Sequence, residues 1–246
     1  MAMRLPQVNF KARDNVALGQ FWADALGWVT SQEEGPGVTN VTPANFDWPD
    51  PSAVCIDFVI VDDPEPIRYR VHLDLATRSE AHQAELVGRL QELGATPADI
   101  GQGDVPWVVL ADPEGNLFCV LEPRESYPYD QTGPIAAVVV NCADPRALAR
   151  FWGAATDWTP HVTNDNFASL RSAQGVGPYL EFIRTTGEPG RVHLDLLPYR
   201  AEDRPAEIAR LEALGATPAD VGQGDVSWAV MADPEGNPFC VLRPAS

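Results

Sequence analysis

Apolar and polar residues recur with two different periods along this chain, and the periods change in a fixed order. A short apolar run from Val8 to Phe10 is followed by Asp14, then by Leu18, Phe21, Trp22, Ala25 and Leu26. The run reads as a strand. The later spacing reads as a helix that Asp14 caps and whose aromatic stripe faces a core. The same order returns as Ile135 to Val140, Asp144, and Leu148, Phe151, Trp152 and Ala155, with Pro145 suited to the first helical turn. Extended segments come next, 28–32, 38–42 and 54–61 in the first copy and 158–163, 167–171 and 179–184 in the second. The strand Arg70 to Leu75 then leads to a helix near His82 to Leu93, which Gly94 stops as a left-handed cap. Strands from Trp107 to Leu110 and from Phe118 to Leu121 form a hairpin about the Asp112-Pro113-Glu114-Gly115-Asn116 turn.

This second group is repeated almost letter for letter. Arg70-Val71-His72-Leu73-Asp74-Leu75 recurs as Arg191 to Leu196, and with a constant shift of 121 positions 33 of the 54 residues from Arg70 to Pro123 are identical. The first group repeats more weakly at a shift of 130, where Phe21-Trp22 meets Phe151-Trp152. A unit longer than a hundred residues is a duplicated domain rather than a solenoid repeat. The domains are expected at 1–125 and 134–246, joined by a linker near 122–133. The first copy carries extra material, including Asn45 to Pro51 with an exposed-looking Trp48, which is either a lid or a plain insertion.

A net charge of −18, with Lys11 the single lysine, argues against a nucleic-acid partner. No apolar run is long enough to span a membrane, and the N-terminus lacks the apolar core of a signal peptide, so the expected location is cytoplasmic. Cys55, Cys119, Cys142 and Cys240 all lie in apolar stretches without the close pairing of a structural zinc site, which predicts buried, reduced thiols.

Strand alternation puts Arg70, His72 and Asp74 on one face and Val71, Leu73 and Leu75 on the other. The polar stripe is either a ligand-binding edge or an internal network in which Arg and Asp form an ion pair. Trp107 and Trp228 share a face with Val109 and Val230, where they either stack on a flat ligand or simply pack. A Cys–His–Asp or Cys–His–Glu zinc site, an activated Cys–His nucleophile and inert core cysteines are the three readings of Cys119 and Cys240.

The half-domain order, the His-x-Asp strand and the Asp-Pro-Glu-Gly-Asn turn resemble the vicinal oxygen chelate superfamily, in its branch of glyoxalase-like or bleomycin-resistance domains. The resemblance implies an α+β fold of tandem domains. Each consists of two βαβββ modules whose strands curl into a cup with helices outside. It also implies, for catalytic relatives, a divalent metal held by His on the first strand, a carboxylate on the fourth, His on the fifth and Glu on the eighth. Carried over, these positions are Gln7 and Ala137, Asp57 and Glu181, His72 and His193, and Cys119 and Cys240. Two of the four ligand types are replaced in each copy. If the copies exchange halves, Gln7 and Asp57 meet His193 and Cys240, while Ala137 and Glu181 meet His72 and Cys119.

The resulting expectation is a metal-independent small-molecule-binding protein of the sequestering or resistance kind. Its candidate cup residues are Gln7, Asp57, His72, Asp74, Trp107, Cys119, Glu181, His193, Asp195, Trp228 and Cys240. No cofactor and no catalytic residue is assigned, and the chain is expected to be a monomer with internal pseudo-two-fold symmetry or a homodimer of it. The alternative is a glyoxalase-, lyase- or dioxygenase-like enzyme with a divalent metal in an altered ligand set.

Overall fold

A computed structural model describes residues 2–32, 37–62, 64, 69–124, 131–185, 190–221 and 226–244. Part of the expected linker lies outside them. The first copy comprises β1 (Arg4–Ala12), α1 (Asn15–Leu26), β2 (Val29–Gln32), β3 (Val38–Thr42), β4 (Cys55–Ile60), β5 (Val71–Leu75), α2 (Glu80–Glu92), β6 (Thr96–Pro97), β7 (Val108–Ala111) and β8 (Leu117–Val120). The second comprises β9 (Ile135–Cys142), α3 (Pro145–Ala155), β10 (Trp158–Thr163), β11 (Phe167–Ser172), β12 (Tyr179–Arg184), β13 (Val192–Leu197), α4 (Arg204–Ala213), β14 (Thr217–Pro218), β15 (Ala229–Ala232) and β16 (Pro238–Val241).

The strands form two mixed eight-stranded sheets, and each sheet takes one half from each copy. Sheet I runs β14-β15-β16-β13-β1-β4-β3-β2, and sheet II runs β10-β11-β12-β9-β5-β8-β7-β6. The exchange is made at two antiparallel seams, β1 with β13 and β5 with β9. Pairing with β13 begins at Arg4 opposite Leu197, so β1 is longer than its apolar run.

Alternation then divides each strand between two environments. Val8 and Phe10, Ile56 and Phe58, Leu194 and Leu196, and Phe239 face the helices and join one core that also contains Leu73, Leu75, Phe118, Val138 and Phe182 from sheet II. Trp22 on α1 meets Phe118 of the other sheet at a centroid distance of 5.0 Å, and Trp152 on α3 meets Phe239 at 5.3 Å. The helices therefore fill the space between the sheets, and each sheet's second face is free of helix.

The helix starts depend on acidic side chains. Asp14 Oδ1 accepts from Ala17 N at 2.9 Å and Asp144 Oδ1 from Ala147 N at 3.1 Å, as their capping positions require. Glu114, from the turn before β8, accepts from Arg13 N and Asp14 N and pairs with Arg191 at 3.2 Å. Glu235 does the same for Ala143 N, Asp144 N and Arg70, the last at 3.1 Å. The Arg70–Asp74 pair considered from sequence is thus replaced by one that crosses between copies, because Arg70 precedes β5 and reaches the opposite turn, where Asn237 also accepts from it at 2.6 Å.

The Trp48 loop lies where the β3–β4 and β11–β12 connections meet. A Cβ on Gly177 would come within 2.1 Å of the Pro51 carbonyl oxygen, and Gly177 has a φ of +72°, so only glycine fits there. Trp48 lines a cavity of about 260 Å³ with Arg4, Asp50, Asp157, Trp158 and Tyr199, and none of the expected cup residues lines it.

Truncation of a buried clamp has a calculable cost. Glu114→Ala leaves the Arg191 side chain, 2% exposed, without its carboxylate, and should lower unfolding free energy by about 3–5 kcal/mol. Arg146→Ala breaks the Arg146–Asp165 pair, which is exposed, and should cost less than about 1 kcal/mol. Urea titrations of the two variants compare them directly, and equal losses would remove the clamp from its structural role.

Candidate functional site

The helix-free face of sheet I gathers polar side chains from five adjacent strands. Gln7 on β1 donates from Nε2 to Asp57 Oδ2 at 2.5 Å and to Asp195 Oδ2 at 3.0 Å. Asn40 on β3 donates to Asp57 Oδ1 at 2.7 Å. On β13 and β16, His193 Nε2 lies 3.3 Å from Asp195 Oδ1 and 3.4 Å from Cys240 Sγ. Sheet register explains the cluster, since Gln7 is opposite Asp195, Asn9 is opposite both Asp57 and His193, and Asp195 is beside Cys240. Two buried acceptors on this face, Asn9 Oδ1 and Asp195 Oδ1, have no hydrogen-bond partner.

The same face of sheet II is largely apolar. Val109, Cys119, Ala137, Val139 and Tyr179 form an apolar cluster, against which Tyr69 and Trp107 pack. The Tyr69 ring stacks on His72 at a centroid distance of 3.9 Å and an interplanar angle of 17°, and its hydroxyl lies 2.9 Å from Cys119 Sγ. Asn141 holds Tyr69 in place by donating to its carbonyl. Glu181 is buried on β12, and neighbouring Arg171 lies 4.6 Å over the Tyr179 ring while donating to its hydroxyl at 3.1 Å. Trp107 packs against this cluster, whereas Trp228 stays 40% exposed beside β15.

The expected site residues thus separate into two groups, Gln7, Asp57, His193, Asp195 and Cys240 with Trp228 near them, and His72, Asp74, Cys119, Glu181 and Trp107. Asn9, Asn40 and Tyr69 escaped the sequence reading. Asn9 had a signal, because Gln7, Asn9 and Lys11 alternate with Val8 and Phe10 whereas the matching positions in the second copy are Ala137, Val139 and Asn141. Tyr69 had a weaker one, its counterpart being Gly190.

Burial sets the protonation states in sheet II. It pushes the His72 imidazole down to about 3 and the Asp74 carboxyl up to about 7, the latter opposed by a hydrogen bond with Cys119. All four thiols are free and buried, and burial drives each upward, Cys55 and Cys142 to about 12. Neither Cys119 nor Cys240 is activated as a nucleophile by its surroundings.

Against this geometry, the glyoxalase-like domain model matches residues 7–121 and 137–242, most of the chain and both copies. The chain belongs to the glyoxalase-like domain family. It shares its fold with glyoxalase I from Zea mays, at 15% identity and a TM-score of 0.66 over 98% of this chain and 92% of that one. A "putative dioxygenase" from Bacillus subtilis aligns at 14% identity and a TM-score of 0.62, over 98% and 84%. These likenesses establish the vicinal oxygen chelate fold. No curated protein matches the sequence. No helix among the described residues is long and apolar enough to cross a membrane.

The metal centre implied by the superfamily does not fit the positions inherited from it. Gln7 and Cys240 replace a histidine and a glutamate in sheet I, and Gln7 Nε2 points its protons at both carboxylates. In sheet II, Ala137 offers no donor and Tyr69 covers His72. A different donor set nevertheless lies on each sheet. In both His-x-Asp-plus-Cys groups the donor atoms fall within 4.8 Å of one another.

The shifted groups in sheet II predict opposite pH dependences. Folded His72 stays neutral down to about 3, so its contribution to stability is present above 6.5 and lost as pH falls toward 3. Folded Asp74 stays protonated up to about 7, so its contribution is present below 3.8 and lost as pH rises through 7. Between 3.8 and 6.5 the two slopes cancel. Denaturant titrations across that window should show stability falling with pH in His72→Gln and rising with pH in Asp74→Asn. Parallel slopes would overturn the assignment.

Proposed function

We propose that this chain is a small-molecule-binding protein of the sequestering or resistance kind, whose working cup is the helix-free face of sheet I. The observation that carries the reading is the contrast between the cups. One surrounds its triad with Gln7, Asn9 and Asp57, where Asn9 Oδ1 and Asp195 Oδ1 are buried without hydrogen-bond partners, and the other surrounds its triad with Ala137, Val139 and the stacked Tyr69. Acceptors without donors select a ligand that brings N–H or O–H groups, a small amine, polyol or amino sugar. Recognition through these side chains requires no metal.

A panel of such compounds is tested on chelator-treated protein by thermal shift and calorimetry. Compounds that bind the wild type should bind Asp195→Asn more weakly by roughly tenfold to a hundredfold, the loss expected for a charge-assisted hydrogen bond of about 1.5–3 kcal/mol. Deleting Phe46 to Asp50 should leave affinity unchanged, since that loop lies at the junction of the copies. Binding that ignores Asp195→Asn, or that vanishes with the loop, would sink the reading.

The second reading is a metal-dependent lyase, isomerase or dioxygenase. It is favoured by one observation, the convergence of imidazole, carboxylate and thiol on each sheet. It requires turnover that His193→Ala abolishes.

A further inference from the structure

We propose that the cavity beside the Trp48 loop is a second ligand site, outside both cups, that takes a small organic ammonium ion, methylated by preference. Its volume is about 260 Å³, and Arg4, Asp47, Trp48, Asp50, Asp157 and Tyr199 carry its chemistry. That volume is just below the roughly 300–1,000 Å³ of sites for drug-sized molecules and suits a compact ion. The proposal is independent of both readings of the cups, because no member of the His-x-Asp and Cys groups lines this cavity.

The charge of the lining selects the ligand. Three carboxylates stand against one guanidinium, a net charge of −2, and that guanidinium is already engaged. Arg4 lies 4.7 Å over the Tyr199 ring and donates from Nη2 to the Pro198 carbonyl at 3.0 Å. Among the described residues, no lysine, arginine or histidine pairs with Asp47, Asp50 or Asp157. Part of their hydrogen-bonding capacity is used within the protein. Asp157 accepts from the Tyr199 hydroxyl, and Asp50 Oδ1 accepts from Ser52 N at 2.9 Å. Hydrogen bonds from Ser52 also hold the Asp50 carboxyl below its ordinary value, so it stays charged. Beside these charges the indole of Trp48 is 41% exposed, and indole is the aromatic ring that attracts a cation best. A methylated ammonium meets both features, since it combines charge with apolar surface and asks for no hydrogen-bond acceptor.

The walls are built before a ligand arrives. Met3 N donates to Ala155 O at 3.1 Å and Asp157 N to Met3 O at 3.0 Å, which seats the start of β1 against the turn that carries Asp157. On the other side, Asp50 N donates to Asp47 O at 2.8 Å, and the close approach of Gly177 to Pro51 fixes the loop that carries Trp48. A preformed site loses less freedom on binding. The site occurs once per chain, because the second copy has no counterpart of the segment from Asn45 to Pro51.

Full-length protein is titrated with tetramethylammonium chloride at constant ionic strength and followed by calorimetry. This ion has no N–H or O–H group and cannot satisfy the unpartnered acceptors of sheet I, which separates the two sites. Binding should weaken roughly threefold to thirtyfold in Trp48→Ala, the range of a cation–π contact. It should weaken several-fold in the double variant Asp47→Asn with Asp50→Asn, which retains the oxygen that accepts from Ser52. Asp195→Asn and Trp228→Ala should bind as the wild type does, and tert-butanol, of nearly the same shape but uncharged, should not displace the ion. Circular dichroism checks each fold, and the aspartate pair decides the matter should Trp48→Ala unfold. Absence of binding, affinity unchanged in a folded Trp48→Ala or in the aspartate pair, loss of binding in Asp195→Asn or Trp228→Ala, or displacement by tert-butanol overturns the proposal. Failure of the amine, polyol and amino-sugar panel in sheet I leaves it standing, and its own failure leaves the cup reading intact.

Discussion

Two carboxylates hold the exchanged halves of this molecule in register. Glu114 and Glu235 each accept from the backbone at the start of a helix in their own copy while pairing with an arginine of the other copy. The arginine is nearly excluded from water, so neither partner can be lost cheaply. Beside each glutamate, Asp112 or Asp233 closes the turn and accepts the indole proton of Trp22 or Trp152. One short turn therefore fixes the hairpin, the helix start, the core tryptophan and the seam to the other copy. That concentration of tasks accounts for its recurrence unchanged in both copies, without any appeal to ligand binding.

Exchange of halves has a consequence for function. The second halves carry the same His-x-Asp and Phe-Cys-Val segments, so both cups receive the same triad. What surrounds each triad comes from the first half of the opposite copy, and those halves have diverged. Gln7, Asn9 and Asp57 flank the triad of His193, while Ala137, Val139 and Glu181 flank that of His72. Had each copy folded on itself, the polar half would have met the triad that Tyr69 covers. The exchanged topology instead combines the polar half with Gly190 and the apolar half with Tyr69.

Much of this was legible from residue order alone. The duplicated framework, the capping aspartates, the core aromatics and the buried thiols follow from periodicity and turn chemistry, which act over a few residues. The seams do not, because antiparallel pairing of β1 with β13 joins residues almost 190 positions apart, and both topologies present the same local pattern. For the same reason an Arg70–Asp74 ion pair was one of the two readings of the polar stripe. The acidic neighbour of Arg70 in sequence, Asp74, competes with Glu235, which only the folded chain brings near. Tyr69 was missed because a lone tyrosine before a strand has no periodicity.

The apolar surroundings of His72 then have an explanation in packing rather than chemistry. His72 and Asp74 are both buried, and each is driven toward its neutral form. A neutral imidazole under a tyrosine ring and a carboxyl beside a thiol cost the fold less than two separated charges would. With Val139 and Ala137 in place of Asn9 and Gln7, the face can be filled by side chains from its own edges. In sheet I the corresponding positions are amides, which must find partners and hold two carboxylates close together. The apolar surroundings of one triad and the polar network around the other are thus two ways of burying one motif.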